Sequence, residues 1–147
     1  MNEIEQLYQK IILTHANYPV GFSELVDYDF KCHLKNPDCG DDLTVYGKWD
    51  GDGQRLAEIS FTGDGCIISK ASASMMVSLL QGKTVMEIAD VWTAFQKLVL
   101  AQPTATESLG DLVAFATLHN FPTRVRCGTL AWHALQTGIQ EGRSEND

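Results

Sequence analysis

Basic residues are scarce in this chain: 11 Lys and Arg stand against 19 Asp and Glu, a formal charge of −8. Nucleic acid is held by clustered Lys and Arg that displace counterions from phosphates. Here the basic residues are scattered, which argues against a polyanion and leaves a basic protein surface as the favoured electrostatic partner. Long apolar runs are missing as well, and none approaches the roughly 20 residues of a membrane span. The first residues, Met1-Asn2-Glu3-Ile4-Glu5, carry acid where a secretory signal carries a basic region. Without export, the four cysteines are expected to be reduced thiols in the cytoplasm rather than a disulfide framework. No close Cys-x-x-Cys pair, internal repeat, low-complexity block or long linker is present.

What is present suffices for one globular domain: 147 residues, 44% of them hydrophobic. Residues 2–16 put Ile4, Leu7, Tyr8, Ile11 and Ile12 on one helical stripe, and Pro19 and Gly21 end that helix. Phe30, Cys32 and Leu34 alternate with Lys31, His33 and Lys35, the pattern of a half-buried strand over 28–35. Further strands are expected at 43–49 and 55–62, joined by the Asp50-Gly51-Asp52-Gly53 turn. A small-residue helix follows over 67–81, closed by Gly82. Thr84-Val85-Met86-Glu87 is a capping box opening a helix to about residue 100. A shorter helix is expected from Ser108 to His119, and a last one after Pro122. The fold class is therefore α+β: an N-terminal helix, a small three-stranded mostly antiparallel sheet, and about four helices on one of its faces. Residues 1–141 form the single domain, and the polar residues 142–147 are expected to be a frayed tail.

Three cysteines sit in glycine-marked settings: Asn36-Pro37-Asp38-Cys39-Gly40-Asp41, Gly63-Asp64-Gly65-Cys66 and Arg124-Val125-Arg126-Cys127-Gly128. Cys39 and Asp41 flank one glycine, so a thiolate and a carboxylate can point the same way from one tight loop. Two more thiolates would complete a set of three sulfurs and one oxygen, which suits zinc or iron. Spacing alone also allows Cys127 to be a small buried hydrophobe on an apolar helix face, and Asp41 to be an ordinary turn residue.

These three stretches, in this order, resemble the motifs of the U-type iron–sulfur cluster assembly proteins, the IscU/NifU N-terminal family, and most closely its SufU branch. The second motif continues as Gly63-Asp64-Gly65-Cys66-Ile67-Ile68-Ser69 into the small-residue helix, and the third as Arg126-Cys127-Gly128-Thr129-Leu130-Ala131-Trp132. The similarity runs to about residue 140. IscU proteins usually carry histidine directly before the third cysteine, where this chain has Arg126, and residues 101–121 are similar to the insertion of SufU proteins. The resemblance implies a zinc ion held by Cys39, Asp41, Cys66 and Cys127, with Cys39 accepting sulfur from a PLP-dependent cysteine desulfurase of the SufS type. It thereby implies a zinc-dependent sulfurtransferase that passes sulfur to downstream iron–sulfur assembly proteins. The main alternative is a scaffold on which a [2Fe–2S] cluster forms from the same ligands, and a third reading is a purely structural zinc domain serving as a protein-interaction module. Three thiolates and a carboxylate on zinc sum to a formal charge of roughly −2, and Arg126, then Arg124, are the nearest cations in sequence to offset it. The His-Tyr-x-Asn-Pro-Arg-Asn pattern common near the family's N-terminus is degraded to His15-Ala16-Asn17-Tyr18-Pro19-Val20.

Other chemistry-bearing residues have plainer readings. Cys32 lies in the inward phase of a strand outside any motif, so core packing is expected. His15, His33, His119 and His133 lack ligand spacing, and Asp50-x-Asp52 lacks the remaining ligands of a calcium loop. Met75, Met76 and Trp92 are expected in the core.

Overall fold

In the computed structural model, which describes the backbone of residues 2–145 and the side chains of 2–142, three strands form an antiparallel meander: β1 (Phe30–Asn36), β2 (Asp41–Trp49) and β3 (Leu56–Asp64). The pairing Phe30↔Gly47, Cys32↔Val45, Leu34↔Leu43 and Asn36↔Asp41, with Val45↔Phe61 on the far side, sets one face of the sheet. Cross-strand partners point the same way, and side chains alternate with a period of two. The face that buries Phe30, Leu43, Val45 and Phe61 therefore also turns Asn36 and Asp41 inward at the strand ends. The Asp50 carboxylate accepts the amides of Gln54 (3.1 Å) and Arg55 (3.3 Å), so Asp50 closes the β2–β3 turn. Segment 21–23 pairs with Phe61 along the outer edge of β3, a cover for an open edge that no sequence pattern announces.

Helix α1 (Glu3–Asn17) is capped by Asn2, whose side chain accepts the Glu5 amide at 2.7 Å. Helix α2 (Ile67–Leu80) runs through the middle of the molecule and packs on α1, β3 and α4 (Pro122–Glu145). Its small residues permit this passage: Ser69, Ala71, Ser72, Ala73 and Ser74 are all buried. Ser72 donates to the Gly128 carbonyl (2.5 Å) and accepts from Trp132 Nε1 (3.1 Å), which satisfies a hydroxyl that burial would otherwise strand. Helix α3 (Val85–Val99) opens with the expected capping box between Thr84 and Glu87, and Trp92 stacks on Trp132 at 5.7 Å. α4 lies across β1 and β2 and presents Cys127, Leu130, Ala131, Ala134 and Leu135 to the core.

Three elements differ from the expectation. The Ser108–His119 helix is instead two short 3-10 turns, Gly110–Phe115 and Leu118–Asn120. Gly110 has φ +53°, in the left-handed region that interrupts an α-helix; the tighter turns after it bury Leu112, Phe115 and Leu118. The stripe on α1 is covered only towards its C-terminal end, where Ile11, Ile12 and Ala16 meet the core, while Ile4 and Leu7 remain exposed. Helical backbone in α4 continues through Glu145, past Gly142 where the sequence predicts fraying; residues 146 and 147 lie outside the described ones.

Candidate metal centre

Three elements meet at one end of the sheet. The β1–β2 hairpin carries Cys39 at its tip, the N-terminus of α2 carries Cys66 as its cap residue, and the first turns of α4 carry Cys127. Asp41 begins β2 in phase with Leu43 and Val45, so its carboxylate enters the protein and is only 1% exposed. Ligand atoms of Cys39, Asp41 and Cys127 lie within 4.8 Å of one another, and among the described residues this is the one such group able to hold a metal ion. The thiol of Cys66 neighbours that of Cys127 but falls outside this tight triplet. Three of the four residues named from the sequence are thus brought together, with the fourth alongside.

Asp41 is held at both ends. Its Oδ1 accepts the Cys66 amide at 2.8 Å and the Ser69 hydroxyl at 3.1 Å, while Oδ2 faces Cys39 Sγ at 3.1 Å. Gly65 leaves room for this seat: a Cβ there would sit 2.2 Å from Ser69 Oγ and 3.1 Å from Asp41 Oδ1. Burial pushes the Asp41 carboxyl up, but the Cys66 amide and the bonds from Cys39, Cys127 and Ser69 outweigh it and hold the group below its ordinary range. The thiols of Cys39 and Cys127 move the other way. Burial raises Cys39, with the Asp41 carboxylate adding to the effect. Cys127 is raised strongly, first by burial and then by Cys39, Asp41 and Cys66 around it.

An ionised carboxylate packed among thiols that resist ionisation is a donor set awaiting positive charge. A divalent cation reverses the thiol shifts, because a coordinating thiol is deprotonated outright. Sulfur-rich donors with one carboxylate fit a tetrahedral zinc site, and thiolates equally suit iron–sulfur chemistry.

Two residues of this site escape a reading based on metal ligands alone. Asn36, 5% exposed, directs its Nδ2 at Cys39 Sγ (2.9 Å) and Cys127 Sγ (3.8 Å). Ser69 seats Asp41, as described. Both have a signal in hindsight: Asn36 shares the inward phase of β1, and Ser69 is one helical turn beyond Cys66. Arg126 does not reach the thiols to neutralise them; it pairs with the carboxylate of Asp38, next to Cys39 in the hairpin. Arg124 lines a groove of about 970 Å³ that runs from Cys66 between α1 and the 3-10 turns, past Ile12, Ile68 and Phe115.

The remaining candidates stay outside the site. Cys32 packs half-buried against the core. His33 pairs with Asp42, His119 bonds the Ala116 carbonyl and His133 lies edge-on to Trp92 at 5.1 Å. His15 bridges Ser74 Oγ (2.7 Å) and Asp111 Oδ2 (3.0 Å), tying α1 to α2 and the first 3-10 turn.

The NifU-like N terminal domain matches residues 7–145. The chain belongs to that family. It is 34% identical over 147 residues to the iron-sulfur cluster assembly scaffold protein IscU of Streptococcus pyogenes serotype M1, covering 99% of this chain and 89% of that one. It is 32% identical over 144 residues to the zinc-dependent sulfurtransferase SufU of Bacillus subtilis, covering 97% and 96%. The fold of this NifU-like domain superposes on the iron-sulfur cluster assembly scaffold protein for the SUF system of Fervidobacterium islandicum AW-1 with a TM-score of 0.84 and 27% identity, over 92% of this chain and 98% of that one. Family membership places the chain among iron–sulfur cluster assembly proteins of scaffold and SufU type. No helix among the described residues is long and apolar enough to cross a membrane.

Proposed function

We propose that this NifU-like domain is a zinc-dependent sulfurtransferase of iron–sulfur cluster assembly, working with a PLP-dependent cysteine desulfurase of the SufS type in the cytoplasm. The observation that carries the reading is the asymmetry of the site. Asp41 and Cys127 are buried, at 1% each, on regular elements; Cys39 and Cys66 are both half-exposed, but Cys66 is fixed as the cap residue of α2 whereas Cys39 stands at a hairpin tip. Cys39, Asp41, Cys66 and Cys127 would hold the zinc, which keeps the thiols ionised when bound.

Cys39 then acts as acceptor. Its thiolate attacks the outer sulfur of a persulfide on the donor, a new S–S bond forms at Cys39, the donor's S–S bond breaks, and the donor cysteine leaves as thiolate. Charge and electrons balance without an added oxidant. Asp41, seated by Cys66 and Ser69, stays in place while the hairpin tip moves. The likeness to the zinc-dependent SufU relative, and Arg126 in place of the histidine usual in IscU proteins, support this reading. The second reading, a scaffold for a [2Fe–2S] cluster passed to downstream assembly proteins, is favoured by the likeness to the scaffold IscU relative, 34% identical against 32% for the SufU relative.

Metal and acid-labile sulfide content of protein purified without oxygen, in wild type and Asp41→Ala, separates them. About one zinc per chain without sulfide is expected, together with desulfurase stimulation that Cys39→Ala abolishes. Iron with matching sulfide, stabilised by loss of Asp41, would establish the scaffold instead. Full stimulation by Cys39→Ala would remove Cys39 from the acceptor role.

A further inference from the structure

Three thiolates on one metal raise the question of which one detaches. Resting on the metal-bound reading above, we propose that Asn36 is a positioning residue that selects Cys39.

The side chain of Asn36 has its orientation fixed by its neighbours. Oδ1 accepts the Asp38 amide at 3.2 Å, and the backbone carbonyl accepts the amides of Cys39 (3.3 Å) and Gly40 (2.9 Å). With its oxygen committed to the hairpin, the carboxamide must turn its N–H₂ towards the sulfurs, 2.9 Å from Cys39 and 3.8 Å from Cys127. Arg126 reinforces this from α4, because it grips the carboxylate of the same Asp38 whose amide holds Asn36.

An N–H···S bond draws electron density from a thiolate, so the sulfur binds a cation less strongly. The same bond replaces part of the water shell when the sulfur is off the metal, so the half-exposed thiolate keeps a donor on its inner side. The donor is closest to the sulfur at the half-exposed hairpin tip. Cys127 is enclosed in α4 at 1% exposure, and the backbone of Cys66 is tied to the buried Asp41. Asn36 thus loosens the ligand at the hairpin tip, and leaves the two on helices α2 and α4 as anchors.

The test is site-resolved alkylation. Zinc-loaded wild type, Asn36→Ser and Asn36→Asp would be treated with iodoacetamide and the rates at Cys39, Cys66 and Cys127 followed by mass spectrometry. Serine keeps an acceptor for the Asp38 amide but is too short to reach Cys39; aspartate keeps the shape and loses the N–H donors. Wild type is expected to react at Cys39 about tenfold faster than at the other two, and both variants to fall below about threefold, the bond being worth on the order of one neutral hydrogen bond. An unchanged preference in variants that bind zinc would overturn the proposal alone; failure of wild type to bind zinc would overturn the metal reading and the proposal with it. A second measurement needs no variant: cadmium-113-loaded wild type should show scalar coupling between the metal and the Asn36 side-chain amide protons through Cys39 Sγ. Its absence would also overturn the proposal.

Discussion

At Gly65 a single methyl group would decide the fate of the site. The hydrogens of this glycine face Ser69 Oγ and Asp41 Oδ1, and a Cβ at 2.2 Å from the hydroxyl would force Ser69 off the carboxylate. Gly65→Ala is expected to cost about 1–3 kcal/mol, the range for overpacking a filled interior, and to weaken zinc retention against a competing chelator. Equal retention would show that Asp41 needs no seat. The motif Gly63-Asp64-Gly65-Cys66 reads in sequence as a turn leading to a ligand; only the structure shows that its second glycine makes room for Ser69 as it bonds Asp41, a residue 24 positions earlier in the chain. The same limit applies to Arg126. Its neighbourhood to Cys127 in sequence suggests charge compensation, but α4 points it at Asp38, and the group nearest the sulfurs is the uncharged Asn36.

The elements follow local rules where local rules suffice. Helix α3 begins at the capping box read from Thr84 and Glu87, with the Thr84 hydroxyl accepting the Glu87 amide at 3.2 Å. Thr84→Ala should lower stability by about 1 kcal/mol in thermal or denaturant unfolding. Glu87 adds a pH dependence whose sign is fixed: its backbone bond to Thr84, and then the Thr84 side chain, hold its carboxyl below the ordinary 4.5. The folded state thus binds its proton less readily than the unfolded chain. The stabilisation is present above the ordinary carboxylate range and lost as pH falls through the lowered value, and Glu87→Gln should flatten that part of the profile. Strand phase was similarly legible, and it carried more than the core: the alternation Phe30, Cys32, Leu34 ends on Asn36. The segment 108–119 reads as a helix in sequence, but the left-handed Gly110 near its start keeps it from running as one, and two 3-10 turns, separated at residues 116–117, take its place.

For the molecule as a whole, the centre of gravity is an aromatic and small-residue core around α2 and α4. Trp132 is fully buried, stacks with Trp92, meets Phe95 at 5.1 Å and donates to Ser72. Trp132→Ala should cost about 3–5 kcal/mol by the measure of large-to-small core changes; a loss under 1 kcal/mol in unfolding would contradict its place in the core. Because Cys39, Cys66 and Cys127 come from three different elements, a metal that bridges them should stabilise the whole fold. With free zinc about a thousandfold above its dissociation constant, linkage adds about 4 kcal/mol; chelation should lower the melting temperature accordingly in wild type and much less in Cys127→Ser.

Sequence by itself determined the class of the fold, the order of its elements, the capping box of α3 and the motifs that hold Cys39, Asp41, Cys66 and Cys127, because periodicity, caps and turn residues act over a few positions. Tertiary structure decided what those motifs face. It brought Asn36 and Ser69 to the sulfurs and the carboxylate, sent Arg126 to Asp38, left Ile4 and Leu7 of α1 uncovered, and covered the β3 edge with residues 21–23. Each of these joins residues far apart in the chain. Such contacts depend on how helices and sheet pack, and hydrogen bonds between distant side chains leave no spacing to read.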